Sequence, residues 1–324
     1  MARHIRQVDI KAYRGIHDLE LKNLNSINIL TGNNNCGKTS VLELLSGLRD
    51  PYSILAWTGM ILNRVSRARK KIFYQELYNL FPVDEEQKLI GYQFLDDHDV
   101  KREIALKAEV NEIQISEADI LRMNGLTRTE ERKEAEDMVA AKCMKLMTYV
   151  NKKKTGEDIL YDFQNNIPYV VKEKDIFLHT VYVSPVDHTR ESLYMDEILG
   201  NSELYEEMLL LLRAFDETII GISAIPTDSV AFTPEYMVLT KNHKKALPLN
   251  VFGDGMKKAI LLLSAVVRAK NGILLLDEFE TAIHTSAMDS VFSWILESAK
   301  RLNVQVFLTS HSKEAIEKVL KCTG

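Results

Sequence analysis

The 324-residue sequence predicts an α/β fold built on a parallel sheet with helices on both faces. Three observations carry that prediction. Apolar runs at 273–277 and 304–309 alternate with amphipathic stretches at 256–269 and 286–301, as buried parallel strands and their covering helices do. A glycine-rich turn, Gly32 to Thr39, stands between a strand-like run and a helical one. The apolar run at 273 ends in two adjacent carboxylates, Asp277 and Glu278.

Composition excludes several other classes. Hydrophobic residues make up 46% and charged residues 27%, a globular balance far from disordered or fibrous chains. A formal net charge of −5 excludes a protein that coats nucleic acid by charge alone, so any such contact must be local. The basic stretch Arg64, Arg67, Arg69, Lys70 and Lys71 is the local candidate, although an exposed charged helix face explains it as well. Three widely spaced cysteines, Cys36, Cys143 and Cys322, fit free thiols in a reducing compartment, so a cytoplasmic location is expected. The longest uncharged apolar run, Ala259 to Val267, is too short to cross a bilayer, and no apolar leader follows the N-terminus; no membrane role is expected.

Taken in order, 5–10, 17–21 and 26–30 read as short strands, forming an N-terminal β-subdomain. Val41, Leu44, Leu45 and Leu48 recur at helical spacing until Asp50-Pro51 closes that helix. Residues 53–81 read as helical. Runs 88–95 and 101–115 read as strands joined at Asp96-Asp97-His98-Asp99, a hairpin turn. From 116 to 154 the sequence is dense in charge with a sparse apolar stripe, Met138, Val139, Met144, Leu146 and Met147, which predicts helix. A strand at 176–184, a helix at 203–219 and a hairpin at 229–250 follow. The expected organisation is therefore an N-terminal part of the head at 1–95, a mainly helical insertion at 96–175 and a C-terminal part at 176–324.

Gly32-Asn33-Asn34-Asn35-Cys36-Gly37-Lys38-Thr39 satisfies the phosphate-loop pattern G-x-x-x-x-G-K-[ST]. Its glycines let backbone N–H groups turn inward on phosphates, and the helix that follows, through Ser40, aims its positive end at them. Lys38 is expected on the β- and γ-phosphates of ATP, and Thr39 on Mg²⁺. Asp277 is the second candidate Mg²⁺ ligand. Glu278 is placed to orient and deprotonate the attacking water. Together these motifs define a P-loop NTPase. About 240 residues separate the two motifs and no N-K-x-D guanine-reading motif occurs, which disfavours a small GTPase.

Two further elements complete a constellation. Phe252-Gly253-Asp254-Gly255-Met256-Lys257-Lys258 precedes the acidic strand, and Leu308-Thr309-Ser310-His311-Ser312 ends the next apolar run. In this order the motifs resemble the ABC-type ATPase heads of the RecF, SMC and OLD (overcoming lysogenization defect) group, above all compact bacterial AAA family ATPases related to OLD. The resemblance covers 1–50 and about 248–320 and is thin between them. It implies that Gly253, Asp254 and Gly255 form a signature loop reaching the γ-phosphate bound by a second subunit, an ATP-sandwich homodimer. It implies that His311 is a switch histidine, and that Arg14, in Ala12-Tyr13-Arg14-Gly15, sits near the nucleotide.

The glutamine that relays nucleotide state in such heads has two candidates, Gln93 and the loop Ser184 to His188, and neither is assigned. Glu280 and His284 stand one helical turn apart, but no third or fourth metal ligand follows at suitable spacing. A TOPRIM nuclease domain, common after OLD-like heads, is not expected in the 13 residues after His311, so any cutting is expected from a separate effector protein. The resemblance implies an ATPase that dimerises around ATP and switches a partner or a nucleic-acid clamp, in anti-phage defence or DNA maintenance. A second reading is a scaffold that holds ATP with little turnover and presents its insertion to an effector.

Overall fold

The computed structural model describes residues 2–54, 57, 60, 73–83, 88–125, 138–164, 177–189, 193–226 and 234–323. The chain opens with strands β1 (Ile5–Tyr13), β2 (Ile16–Leu21) and β3 (Ile27–Leu30), then helix α1 (Lys38–Ser46). Helix α2 (Phe73–Tyr78) precedes β4 (Lys88–Asp96), β5 (Lys101–Ser116), helix α3 (Glu117–Met123), β6 (Met138–Val150) and β7 (Lys153–Tyr161). Next come β8 (Thr180–Val183), α4 (Asp196–Leu199), α5 (Ser202–Leu212), β9 (Ile219–Ile225), β10 (Glu235–Thr240) and β11 (Leu247–Pro248). The chain ends with α6 (Asp254–Arg268), β12 (Ile273–Leu276), α7 (Thr285–Arg301), β13 (Gln305–Thr309) and α8 (Lys313–Thr323).

Two compact units result. The first gathers residues 1–4, 25–42 and 179–324; the second gathers 5–24 and 43–178.

The first unit holds a parallel sheet in the order β3-β13-β12-β8, and a separate antiparallel sheet β11-β10-β9. Strand β12 is the apolar run Ile273 to Leu276, buried throughout because it lies between two neighbours under helices. Helix α6 is apolar nearly all round from Ala259 to Val267 and is correspondingly buried on all sides. On α7, Trp294 donates to Glu207 at 2.9 Å, and Arg301 grips the same carboxylate at 2.7 and 2.8 Å, which ties α7 to α5. This unit fulfils the predicted α/β class.

Among the described residues the second unit holds a six-stranded antiparallel sheet in the order β2-β1-β4-β5-β6-β7. The predicted hairpin between β4 and β5 is present, with Asp99 at φ 59° in its turn. The expected helix across 138–150 is a strand instead. Met144, Leu146, Thr148 and Val150 are buried on one face at period two, Ala141 and Met147 are buried on the other, and the strand pairs with β5 from Ile104↔Val150 to Ser116↔Met138. Within 96–175 the described residues thus hold three strands and a single short helix, α3, in place of a mainly helical arm. The helix expected over 203–219 likewise ends at Leu212, and β9 takes up its last residue, Ile219. The basic residues Arg64, Arg67, Arg69, Lys70 and Lys71 lie outside the described residues.

Candidate functional site

The phosphate loop leaves β3 and closes on α1. Asn35 at φ 61° and Gly37 at φ 92° adopt the left-handed conformation, which curls the loop back toward its own start. Val41 N–H donates to Gly37 O at 3.0 Å, so the helix begins at the loop's last glycine. Lys38 is buried, and its Nζ donates to Gly32 O and Asn33 O, each at 2.8 Å, across the loop. Asn33, Asn34, Asn35 and Cys36 are exposed, whereas Ser40 turns into the protein. The predicted strand, loop and helix are all in place.

The sheet order brings the acidic strand end to this loop. Strand β13 lies between β3 and β12, and Leu276 pairs with Leu308, so Asp277 and Thr309 stand side by side at the C-terminal edges. Asp277 is buried and accepts hydrogen bonds at Oδ1 from Thr39 Oγ1 at 3.0 Å and Thr309 Oγ1 at 2.6 Å. Its Oδ2 accepts from the Tyr182 hydroxyl at 3.1 Å, supplied by β8 on the other side. The carboxylate is therefore held from three directions. Glu278 turns away at φ 44°, with its N–H donated to Thr309 Oγ1 at 2.8 Å and its side chain part-exposed. His311 Nε2 lies 3.7 Å from Glu278 Oε1.

The donors that could hold a divalent cation are hard oxygens, the Thr39 hydroxyl and the Asp277 carboxylate. That set fits Mg²⁺, which takes few protein oxygens beside those of phosphate. Glu280 and His284 do not form a second metal pair. His284 is the N-cap of α7, where its ring nitrogen accepts from Ser286 N–H at 3.4 Å, and Glu280 faces the 310–312 loop. The segment between them is a turn, which removes the helical spacing the sequence suggested.

The motif Gly253-Asp254-Gly255 forms the start of α6, with Gly253 as N-cap and Gly253 and Asp254 exposed. Gly255 has a steric reason to be glycine: an added Cβ would stand 3.0 Å from Ala282 O. Asp254 pairs with Lys257 at 2.6 Å, and that hydrogen bond holds its carboxyl below the usual range. One turn further along, Lys258 is wholly buried with Nζ 3.4 Å from Ser184 O. Burial pushes its pKa down to about 8 against the pull of Asp187, Glu280, Asp277 and Glu278.

In the second unit, Arg14 occupies the β1–β2 turn at φ 52°, its guanidinium 3.5 Å from the buried Glu43 carboxylate. Gln93 donates to Asp9 at 2.9 Å in the same unit. Tyr182, Thr309, Glu280 and Lys258 are site residues that the motifs did not assign. Thr309 and Lys258 lie inside quoted motifs, Glu280 is two positions past Glu278, and Tyr182 carried only the signal of a strand.

Residues 172–317 match the family described as "AAA domain, putative AbiEii toxin, Type IV TA system", and residues 3–53 match "Protein of unknown function (DUF2813)". An ATP/GTP phosphatase of Helicobacter pylori is 26% identical over 345 residues, spanning 97% of this chain and 86% of that one. The recombination mediator protein RecF with ATP is 13% identical, with a TM-score of 0.48 over 96% of this chain and 94% of that one. The SMC head domain from Thermotoga maritima is 11% identical, with a TM-score of 0.46 over 97% and 92%. The parallel sheet β3-β13-β12-β8, with the phosphate loop after β3 and Asp277 at the end of β12, has the P-loop NTPase arrangement, and residues 172–317 are similar to the AAA domain family. Among the described residues no helix is long and apolar enough to cross a membrane.

Proposed function

We propose that this chain is an ATPase that closes into a homodimer around ATP and uses that closure to switch a partner. The observation that carries the reading is the convergence of Thr39, Asp277 and Thr309 on one oxygen cluster, with Glu278 and His311 beside it. The loop N–H groups and Lys38 bind the β- and γ-phosphates and hold the γ-phosphorus open to one side. Thr39 and Asp277 would hold Mg²⁺, which when bound would supply positive charge against the phosphate oxygens. Glu278, part-exposed and free to reach solvent, takes a proton from water as the water oxygen bonds to the γ-phosphorus. The bond from that phosphorus to the β,γ-bridging oxygen breaks, giving ADP and phosphate. His311 is within reach of Glu278 to hold the γ-phosphate and register its loss.

The exposed Gly253 and Asp254 at the head of α6 support a second copy as the group that completes the site. The Helicobacter pylori relative, named for phosphatase action on ATP and GTP, supports nucleoside triphosphate as substrate. A separate effector, such as a nuclease, is the partner we favour, with nucleic acid an alternative target of the switch. The OLD-like resemblance supports a setting in phage defence or DNA maintenance.

Phosphate release from Mg-ATP by the full chain tests the reading, with Lys38→Ala and Glu278→Gln beside the wild type. Both substitutions should lower turnover at least about 100-fold, and Glu278→Gln should sediment as a dimer when ATP is present. A wild-type chain that binds ATP and releases no phosphate even at concentrations that dimerise it would overturn hydrolysis. A Glu278→Gln chain that stays monomeric with saturating ATP would overturn the sandwich.

A further inference from the structure

The side chain two positions past the proposed base has an unusual set of partners. Glu280 Oε1 accepts three hydrogen bonds from the loop after β13: from Ser310 Oγ at 2.7 Å, His311 N–H at 3.1 Å and Ser312 N–H at 3.3 Å, the last shared with Ser310 Oγ, which accepts from the same N–H at 2.9 Å. Its own backbone is fixed from both sides. Phe279 is buried against the Phe292 ring at 4.8 Å and its N–H reaches Thr309 O at 3.3 Å, while Ile283 N–H donates to Glu280 O at 3.1 Å. Three donors converging on one ionised oxygen make a stronger tether than neutral pairs would.

Capping of α8 does not account for this carboxylate. Ser312 Oγ already accepts from Ala315 N–H at 3.2 Å, which serves the helix start. Glu280 holds instead the two peptide N–H groups that flank the His311 side chain. The other oxygen, Oε2, is buried without a hydrogen-bond partner among the described residues, and the buried ammonium of Lys258 contributes the opposing charge. A glutamate in this place keeps a loop carrying a part-exposed histidine 3.7 Å from Glu278.

We propose that Glu280 is the positioning residue of His311: its carboxylate clamps the 310–312 loop to the turn after the acidic strand and so sets the imidazole against Glu278. The turn it belongs to also carries Ala282, whose carbonyl lies against Gly255 of the glycine motif, so the clamp joins that motif to the histidine. The role rests on the ATPase reading above.

The test uses the full chain and Mg-ATP, with Glu280→Ala, Glu280→Gln, His311→Ala and the double variant Glu280→Ala with His311→Ala. Glu280→Ala should lower kcat about tenfold while KM stays within about twofold, because the phosphate loop is untouched. Glu280→Gln keeps an acceptor oxygen and should hold kcat within about threefold. The double variant should be no slower than His311→Ala alone, since both changes remove one device. Hydrogen exchange without nucleotide supplies a readout independent of turnover: the His311 amide, whose acceptor is Glu280, should exchange at least about tenfold faster in Glu280→Ala than in the wild type. If Glu280→Ala fails to fold, Ser310→Ala, which removes one of the three donors to Glu280 together with the acceptor of the Ser312 N–H, should show a smaller rise in exchange at His311. Unchanged exchange at His311, wild-type kcat in Glu280→Ala, or losses that add in full in the double variant would each overturn the clamp. A wild type without turnover sinks the ATPase reading, and the exchange measurement still decides the tether.

Discussion

Thr309 Oγ1 donates to Asp277 Oδ1 at 2.6 Å while accepting from the Glu278 N–H at 2.8 Å, so a single hydroxyl on the neighbouring strand fixes both carboxylate-bearing residues. The hydroxyl is buried, and removing it leaves the Glu278 N–H without its acceptor and takes from Asp277 Oδ1 one of its two donors, Thr39 Oγ1 being the other. Thr309→Val, nearly identical in shape, should lose about 1–3 kcal/mol of stability in chemical denaturation. It should also lower phosphate release, because Glu278 loses its backbone anchor. Thr309→Ser restores the hydroxyl and should recover most of both. A valine variant as stable and active as the wild type would show that the bond contributes nothing.

Glu278 stands at φ 44°, a conformation that costs a non-glycine residue on the order of 1 kcal/mol. Its side chain is part-exposed, so little packing depends on it. Glu278→Gly should therefore raise the melting temperature slightly, by about 0.5–1 kcal/mol in free energy, while abolishing phosphate release. Glu278→Ala removes the same carboxylate but retains the strained backbone and should show no such rise. Equal melting temperatures for the two variants would refute stored strain at this position.

Lys258 offers a pH signature. Its native pKa is pushed down to about 8 by burial from the usual 10.5, so between those values the unfolded chain binds more protons than the folded one. Below pH 8 the cost of the buried charge is present in full. Between pH 8 and 10.5 stability rises with pH, by up to about 1.4 kcal/mol per unit, and above 10.5 the gain is complete. The stability difference between wild type and Lys258→Met, followed by denaturant titration from pH 7 to 10, should move in favour of the wild type across that window. Parallel curves for the two proteins would contradict the shift.

Residues inside contiguous motifs were legible because the motif constrains its own backbone: Gly37 must turn, Lys38 must begin a helix, and Asp277 must end a buried strand. Residues whose role depends on a neighbouring strand were not. Tyr182 reaches Asp277 only because β8 pairs with β12 in the register Leu275↔Tyr182, and no local pattern announces that pairing. Thr309 acquires its role the same way, from Leu276↔Leu308. Strand β6 was hidden for a different reason. Positions 144, 146, 148 and 150 include Thr148, a buried polar residue whose hydroxyl donates to Tyr52 O at 3.0 Å, and the apolar Met147 is buried on the opposite face; both breaks in the apolar alternation masked period two.

Arg14 gives the last prediction, and it separates two roles for one guanidinium. In the second unit it lies 3.5 Å from Glu43, a carboxylate with no exposed surface, and Tyr13 shares both partners at 3.3 and 3.4 Å. Burial opposes the charge, yet Tyr13 and Glu43 outweigh it and hold the guanidinium pKa above its usual value. Removing one member of a buried pair strands the other, at a cost of about 3–5 kcal/mol, while replacing both by apolar groups is far less damaging. Arg14→Ala should accordingly lower stability by that order, and Arg14→Met combined with Glu43→Leu should recover most of it. ATP affinity of the double variant then decides the second role. Wild-type affinity confines Arg14 to the ion pair, whereas a loss of tenfold or more in the refolded, stable double variant assigns it to the nucleotide as well.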